Sequence, residues 1–319
     1  MITKLYVKNM VAAAKNASYK VAQLATSEKN YVLRNISKAL MKNKSALIRA
    51  NAKDIAYARK TGIAESLIDR LALDEKRVEE MANAILDVVR IPDPVGKSLA
   101  CWKRPNGLTI EKRCVPLGVV LIIYEARPNV TSECAALCFK SNNAVILRGG
   151  KEAFHSNATI AGIFRSVLKK NKIDENVISF VDTTDRNVVD HLLKQNETID
   201  LVIPRGGESL IRTVVEKSTI PVIKHYKGIC HVFVDESADL KMAHTITLNA
   251  KCQRPSVCNA METLLVHKKV AKRFLPLFAR DYCAQGGEIF GCVRTRALLK
   301  GCKGIKAAGE NNYRTEYLA

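Results

Sequence analysis

Between Val119 and Val234, short unbroken apolar runs rich in valine and isoleucine alternate with stretches of helical periodicity, and few architectures accept that pattern. The runs are Val119-Val-Leu-Ile-Ile123, Ala144-Val-Ile-Leu147, Val177-Ile-Ser-Phe-Val181, Leu201-Val-Ile203, Val222-Ile223 and His231-Val-Phe-Val234. Helices are expected over Asn157 to Lys170 and Ser209 to Lys217. A strand that is apolar on both faces must be covered on both, and crossover helices supply the cover. The pattern therefore predicts an α/β fold with a parallel sheet between two helical layers. Ligands of such sheets bind beyond the carboxyl ends of the strands.

Ahead of this core, from about Met10 to Arg90, apolar residues recur at helical spacing, as at Val32, Ile36, Leu40 and Leu47, with no strand-like run between them. The segment Asp93 to Gly107, rich in proline and glycine, ends that helical layer. A strand is expected over Leu108-Thr-Ile-Glu-Lys-Arg-Cys114. A chain of 319 residues exceeds what one hydrophobic core usually organises. Two domains are expected, residues 1–227 and 228–319, the second running through a helix from Ala238 to Lys251, a loop at Cys258 and a strand from Thr263 to His267.

Charge narrows the partners. The formal net charge is +20, which draws anionic ligands inward. The basic residues are dispersed, with no Lys/Arg block or aromatic-interleaved stripe, so nucleic acid is not expected as a partner. No apolar stretch is long enough to span a bilayer, and Met1 to Met10 lacks the pattern of a secretory signal. Ten cysteines without such a signal read as reduced thiols in the cytosol. None forms a CxxC pair, and no metal site is expected. Cys134 and Cys138, four apart in a helical pattern, read as small core residues.

Two Gly-Gly pairs sit between a strand and a helix, at Arg148-Gly149-Gly150-Lys151 and Arg205-Gly206-Gly207-Glu208. Two accounts fit such turns. The glycines permit left-handed backbone angles, or they let a phosphate approach helix amides closely. The GxGxxG fingerprint is absent. If a nicotinamide cofactor binds, Arg148 and Lys151 put positive charge where a ribose-binding acid would repel a 2′-phosphate, which favours NADPH over NADH.

Of two candidate nucleophiles, Cys252 falls in the last turn of a helix, where the negative end of the dipole disfavours a thiolate. Cys258 lies in a loop beyond Pro255 and is the better candidate. Lys251 and Arg254 stand near it in sequence, and their charge is expected to lower its thiol pKa. Tyr124-Glu-Ala-Arg-Pro-Asn129 follows a strand directly and offers an amide and a guanidinium, for an oxyanion and a phosphate respectively. Spacing alone reads Asn129 equally well as a cap ahead of a helix from Thr131 to Lys140.

Taken together, these residues resemble the γ-glutamyl phosphate reductases of the aldehyde dehydrogenase-like superfamily. The resemblance is carried by Pro116-Leu-Gly-Val119, Tyr124-Glu-Ala-Arg-Pro-Asn-Val-Thr131, Ala144-Val-Ile-Leu-Arg-Gly-Gly150, Pro204-Arg-Gly-Gly-Glu-Ser-Leu-Ile211, Lys224-His-Tyr-Lys-Gly228 and Gln253-Arg-Pro-Ser-Val-Cys-Asn-Ala260. It implies a Rossmann-type NADP-binding domain, an oligomerisation hairpin near residues 104–118 and an α/β catalytic domain that is incomplete at its carboxyl end. It implies NADPH-dependent reduction of L-glutamyl 5-phosphate to L-glutamate 5-semialdehyde, the second step of proline biosynthesis from glutamate. A homo-oligomer in the cytoplasm is implied, with glutamate 5-kinase as the source of the substrate.

Residue by residue, Cys258 matches the family nucleophile and Asn129 the oxyanion-hole asparagine. Glu316 resembles the acid that contacts the nicotinamide ribose. Gly149, Gly150, Gly206 and Gly207 fall at the cofactor turns. Arg127 and Arg254 are candidates for the substrate phosphate. The stretch around Lys224 to Gly228 lacks the glutamate that activates water in hydrolytic relatives. The family continues well past Thr315-Glu-Tyr-Leu-Ala319, so impaired folding or assembly is expected. Two other functions stay open: an aldehyde dehydrogenase for another substrate, and a nucleotide binder without turnover.

Overall fold

The computed structural model describes residues 2–63, 65–125, 127–255 and 257–317. Ala126 and Ser256, inside two of the motifs above, lie outside the described residues, as do Leu318 and Ala319. The chain forms two compact units, Met1–Lys224 and His225–Ala319.

The first unit opens with five helices: α1 (Ile2–Val21), α2 (Thr26–Lys42), α3 (Lys44–Lys60), α4 (Glu65–Leu71) and α5 (Glu75–Arg90). In α5, Val78, Met81, Ala82, Ile85, Val88 and Val89 form one buried stripe, and Asp74 caps the helix by accepting from the Arg77 amide at 2.7 Å. The side chain of such a cap satisfies an amide that has no partner within the helix. A hairpin follows, β1 (Ser98–Lys103) and β2 (Thr109–Arg113). Then come β3 (Val119–Tyr124), α6 (Pro128–Lys140), β4 (Ala144–Arg148), α7 (Phe154–Lys170), β5 (Ile178–Phe180), α8 (Asn187–Leu192), β6 (Leu201–Arg205) and α9 (Glu208–Lys217).

The central sheet is parallel, in the order β5-β4-β3-β6. All six residues of β3 are buried. The strand's period of two divides them between two cores. Val120, Ile122 and Tyr124 join residues of α2, α5, α6 and α7, whereas Val119, Leu121 and Ile123 join residues of α1, α8 and α9. Each fully buried aliphatic side chain contributes about 1.5–3 kcal/mol. The sheet expected from the sequence is thus present, covered on both faces.

Three details differ from expectation. The amino-terminal helices are not one layer: Val7, Val11 and Ala14 of α1 lie in the core opposite α2 and α5, and helical periodicity cannot tell which side of a sheet a helix will cover. Ser98–Lys103, read as part of an irregular segment, pairs antiparallel with β2. Gly107 at φ +87° closes the turn, and β1 escapes sequence detection because it is exposed throughout and has no apolar alternation. Val222-Ile223 is reduced to one parallel bridge, Val202 to Val222.

A buried polar knot ties α2 to the end of α6. Lys29, 1% exposed, reaches the Asp93 carboxylate at 2.6 Å and the Lys140 carbonyl at 2.9 Å, and also donates to Asn142.

The second unit contains β7 (Cys230–Val234), α10 (Leu240–Cys252), β8 (Met261–Val266), α11 (Lys268–Ala284), β9 (Ile289–Gly291), α12 (Val293–Leu298) and β10 (Ile305–Ala307). Its strands form two separate parallel pairs, β7 with β8 and β9 with β10. Phe274, Leu275 and Phe278 of α11 centre the core. No helix among the described residues is long and apolar enough to cross a membrane.

Candidate active site

In the first unit the sheet order reverses between β3 and β6, and such a switch point opens a crevice at the carboxyl ends of the strands. Register aligns Ile123 with Arg148 and Tyr124 with Arg205, so the ends of β4, β3 and β6 stand side by side. None of Gly149, Gly150, Gly206 or Gly207 has a positive φ, so left-handed backbone is not what these glycines supply. The reason at three of them is close approach: a Cβ on Gly150 would lie 2.0 Å from Glu152 Oε1. A Cβ on Gly149 would lie 2.2 Å from Asn157 Nδ2 and 3.2 Å from Tyr124, and one on Gly206 would lie 2.6 Å from the Glu125 carboxyl carbon.

Both helix starts already hold an anion of the chain itself. Asp54, buried on α3, accepts from the amides of His155 and Ser156 at 3.0 and 2.8 Å at the start of α7. Glu125 accepts from the Gly207 amide at 3.0 Å ahead of α9. Neither carboxylate was picked out from the sequence. Glu125 could have been, since an acid directly after a central strand faces the same crevice.

Arg148 ends β4 half-buried. Burial pushes its guanidinium below the ordinary value, Arg186 pushes the same way, and Glu152 opposes. Its Nε and the Nδ2 of Asn157 are buried without a hydrogen-bond partner. The Asn157 Oδ1 is held by Thr131, which shares a 2.7 Å hydrogen bond with the Tyr124 hydroxyl. Lys151 is exposed at the following turn.

Asn129 is not a helix cap. Arg127 takes that position, Pro128 opens α6, and Asn129 sits inside the first turn, its Nδ2 donating to Glu133 at 2.8 Å. A carboxamide carries a second N–H. Proline preference for the first helical position was the available signal that the helix starts before Thr131. Burial pushes the Cys134 thiol up to about 11 and Cys138 higher still, consistent with inert core residues.

In the second unit Cys258 is exposed in the turn between α10 and β8. Cys252 ends α10, and burial pushes its thiol up although the Lys251 charge opposes. Lys251 is turned toward Glu262, with Nζ 2.9 Å from Oε2 and side chains 8% and 2% exposed, so its charge is committed there. Arg254 is exposed in the same turn as Cys258.

The structure brings Cys258 and Glu316 together through Gly228. A Cβ on Gly228 would meet the Cys258 carbonyl oxygen at 2.5 Å and Glu316 Oε1 at 3.2 Å. Lys227 Nζ donates to the Arg314 carbonyl at 3.5 Å, and the Cys230 thiol donates to the Cys258 carbonyl at 3.5 Å. The segment bearing Glu316 is anchored by Tyr317, stacked on Phe290 at 5.6 Å and accepting from Asn312. Gly228 entered the sequence reading only as the end of the Lys224–Gly228 motif and Cys230 not at all, because a contact across about thirty residues leaves no local signal.

A cavity of about 1070 Å³ in this unit reaches Pro255 of the Cys258 loop and Tyr317 beside Glu316, but Cys258, Gly228 and Glu316 do not line it. Every residue from Met261 to Val266 lines it, as does the unbroken run Gln285 to Cys292. Side chains alternate between the faces of a strand, so a strand lines a cavity with consecutive residues through its main-chain edge. The cavity therefore separates the free edges of β8 and β9. Among the described residues, no group of three or more His, Cys, Asp or Glu is arranged to hold a metal.

The sequence profile described as the Aldehyde dehydrogenase family matches residues 1–284. The chain is 51% identical over 289 residues to the γ-glutamyl phosphate reductase of Sulfurihydrogenibium sp., covering 91% of this chain and 65% of that relative. It is 46% identical over 318 residues to the one from Thermodesulfovibrio yellowstonii, covering all of this chain and 75% of the relative. The crystal structure of the Thermotoga maritima γ-glutamyl phosphate reductase superposes with a TM-score of 0.87 at 42% identity, covering 98% of this chain and 75% of that one. A probable aldehyde dehydrogenase from Listeria monocytogenes shares the fold, at TM-score 0.64 and 15% identity. The chain thus spans between about two thirds and three quarters of the length of these reductases.

Proposed function

The chain belongs to the aldehyde dehydrogenase family, in its γ-glutamyl phosphate reductase branch, and from that premise we propose that it reduces L-glutamyl 5-phosphate with NADPH. The products are L-glutamate 5-semialdehyde and phosphate, formed through a thioester on Cys258. The observation that carries the reading is the exposed Cys258, with its main chain held against Gly228 and Cys230 and with Glu316 at the same point.

The residues of the first unit fit a dinucleotide that bears a ribose phosphate. Arg148 offers charge and an unpaired Nε, Asn157 an unpaired Nδ2, and Lys151 an exposed ammonium, while Gly149, Gly150, Gly206 and Gly207 keep the turns slim. Glu316 is assigned to the nicotinamide ribose. When bound, the reduced nicotinamide supplies the hydride that takes the thioester carbonyl to the aldehyde level.

The chain's own residues do the rest. The Cys258 thiolate adds to the acyl carbonyl and expels phosphate, a leaving group that needs no strong general acid. Asn129 and the Cys258 amide are assigned to the oxyanion, and Arg127 and Arg254 to the phosphate. Residues 224–228 carry no carboxylate to activate water, which suits a thioester that must survive until hydride arrives. Collapse of the resulting thiohemiacetal releases the aldehyde and returns the thiolate. The exposed hairpin β1–β2 is assigned to homo-oligomer assembly, and glutamate 5-kinase in the same cytoplasm to substrate supply.

A second reading is a nucleotide binder without turnover, favoured by the open edges of β8 and β9 in the unit that carries Cys258. The deciding experiment follows NADP⁺ reduction by glutamate 5-semialdehyde, with and without phosphate. Phosphate-dependent activity that drops to background in Cys258→Ser is expected. No activity in a folded parent that binds NADPH would leave the second reading.

A further inference from the structure

The loop that carries Cys258, residues 253–260, is bounded by the last turn of α10 and the first residues of β8. Lys251 and Glu262 face each other across its two ends, 2.9 Å apart and nearly inaccessible. Glu262 is also the extra residue of a β-bulge. Cys230 pairs with Met261 and His231 with Thr263, which leaves Glu262 opposite no residue of β7. A bulge breaks the two-residue alternation and re-aims a side chain, and bulges concentrate beside active sites. At the same bulge Cys230 begins β7, and its thiol holds the Cys258 carbonyl.

Tyr282 on α11 and Cys252 on α10 border the pair. Burial pushes the Tyr282 hydroxyl up to about 12, with Cys252 and Glu262 adding to the effect.

Stability does not explain such a pair, because two well-packed apolar residues of similar volume serve a fold as well or better. What apolar residues do not supply is a fixed span of one length between two backbone segments. We propose that Lys251 and Glu262 are positioning residues that set the span across the Cys258 loop, and through it the attack geometry of the thiol. The inference rests on Cys258 being the nucleophile of the proposed reaction. Displacing a reacting group by about 1 Å costs on the order of 10²-fold in rate.

The test compares the parent with Lys251→Met/Glu262→Met, which removes both charges of the pair together. Amide hydrogen exchange is read over residues 253–260, α10 and α11, alongside kcat and KM. The double variant should melt no lower than the parent and exchange about tenfold faster across the loop, with α11 unchanged. Its kcat should fall roughly 10²-fold with KM within about twofold. Glu262→Gln, which keeps volume and an acceptor for Lys251, should shift loop exchange and kcat in the same direction by less, and it decides the matter if the double variant does not fold. Loop exchange equal to the parent's overturns the proposal. Absent turnover in the parent overturns the proposed reaction instead, and loop exchange still decides the positioning role.

Discussion

The two units solve the same problem to different extents. In Met1–Lys224, a four-stranded parallel sheet has helices on both faces, and β3 is buried along its whole length. Among the described residues of His225–Ala319, four strands stay as two pairs, with β8 and β9 each presenting a free edge to the same cavity. Unpaired strand edges are ready templates for another strand. The comparison teaches that local sequence can form the strands and helices of a unit while its two strand pairs stay unjoined among the described residues.

If the units differ in this way, they should melt separately. Phe139→Ala in the first unit and Phe274→Ala in the second each remove a fully buried ring and should cost about 3–5 kcal/mol. Differential scanning calorimetry should show two transitions. Phe274→Ala should lower only the earlier one, and Phe139→Ala only the later. A single transition shifted equally by both would break the comparison.

The Lys29 knot sharpens it next, because it ties helices together in the unit with the closed core. Lys29→Met leaves Asp93 without its cation and should cost roughly 3 kcal/mol at pH 7. Burial alone would raise the Asp93 carboxyl. Hydrogen bonds from Lys29, Thr26 and the Val95 amide, with the Lys29 charge, outweigh burial and hold it below 3.8. A depressed carboxylate contributes stability that is complete above its unfolded value and is lost as pH falls through the folded one. Urea midpoints of parent and variant should therefore converge as pH drops below about 3.8. A gap that persists at pH 2 would show that the packing of the lysine stem, not the charge pair, holds the knot.

The smallest effect compares one glycine from each unit. A Cβ on Gly206 meets the end of the exposed Glu125 side chain, whereas one on Gly228 meets the Cys258 carbonyl. A side chain swings aside and a backbone does not. Gly206→Ala should cost less than about 1 kcal/mol, and Gly228→Ala about 1–3 kcal/mol, with loss of turnover. Equal behaviour of the two would mean that the Cys258 loop yields as easily as a surface glutamate.

Much of this was legible in the sequence. The run Val119 to Ile123 predicted a strand buried on both faces, and the order of runs and helices predicted the parallel sheet. Proline 255 and the strand after it separated the exposed Cys258 from Cys252, whose thiol burial pushes up. Other assignments failed for identifiable reasons. Lys251 is adjacent to the loop in sequence, yet its ammonium is bound by Glu262, and nothing local marks Glu262 as a bulge residue. Of the two readings of Asn129, the cap ahead of Thr131 fails because Pro128 had already started the helix.

By itself the sequence determined most strands and helices of the central sheet and which of Cys252 and Cys258 stands exposed in a loop, since these follow from hydrophobic period, proline and glycine over a few neighbouring residues. The tertiary structure alone decided that Val7, Val11 and Ala14 of α1 cover the face opposite α2, that Glu125 and Asp54 sit on helix amides, and that Gly228 joins Cys258 to Glu316. Those are contacts between residues tens of positions apart, and they are set by how packed surfaces meet, which no local pattern of side chains encodes.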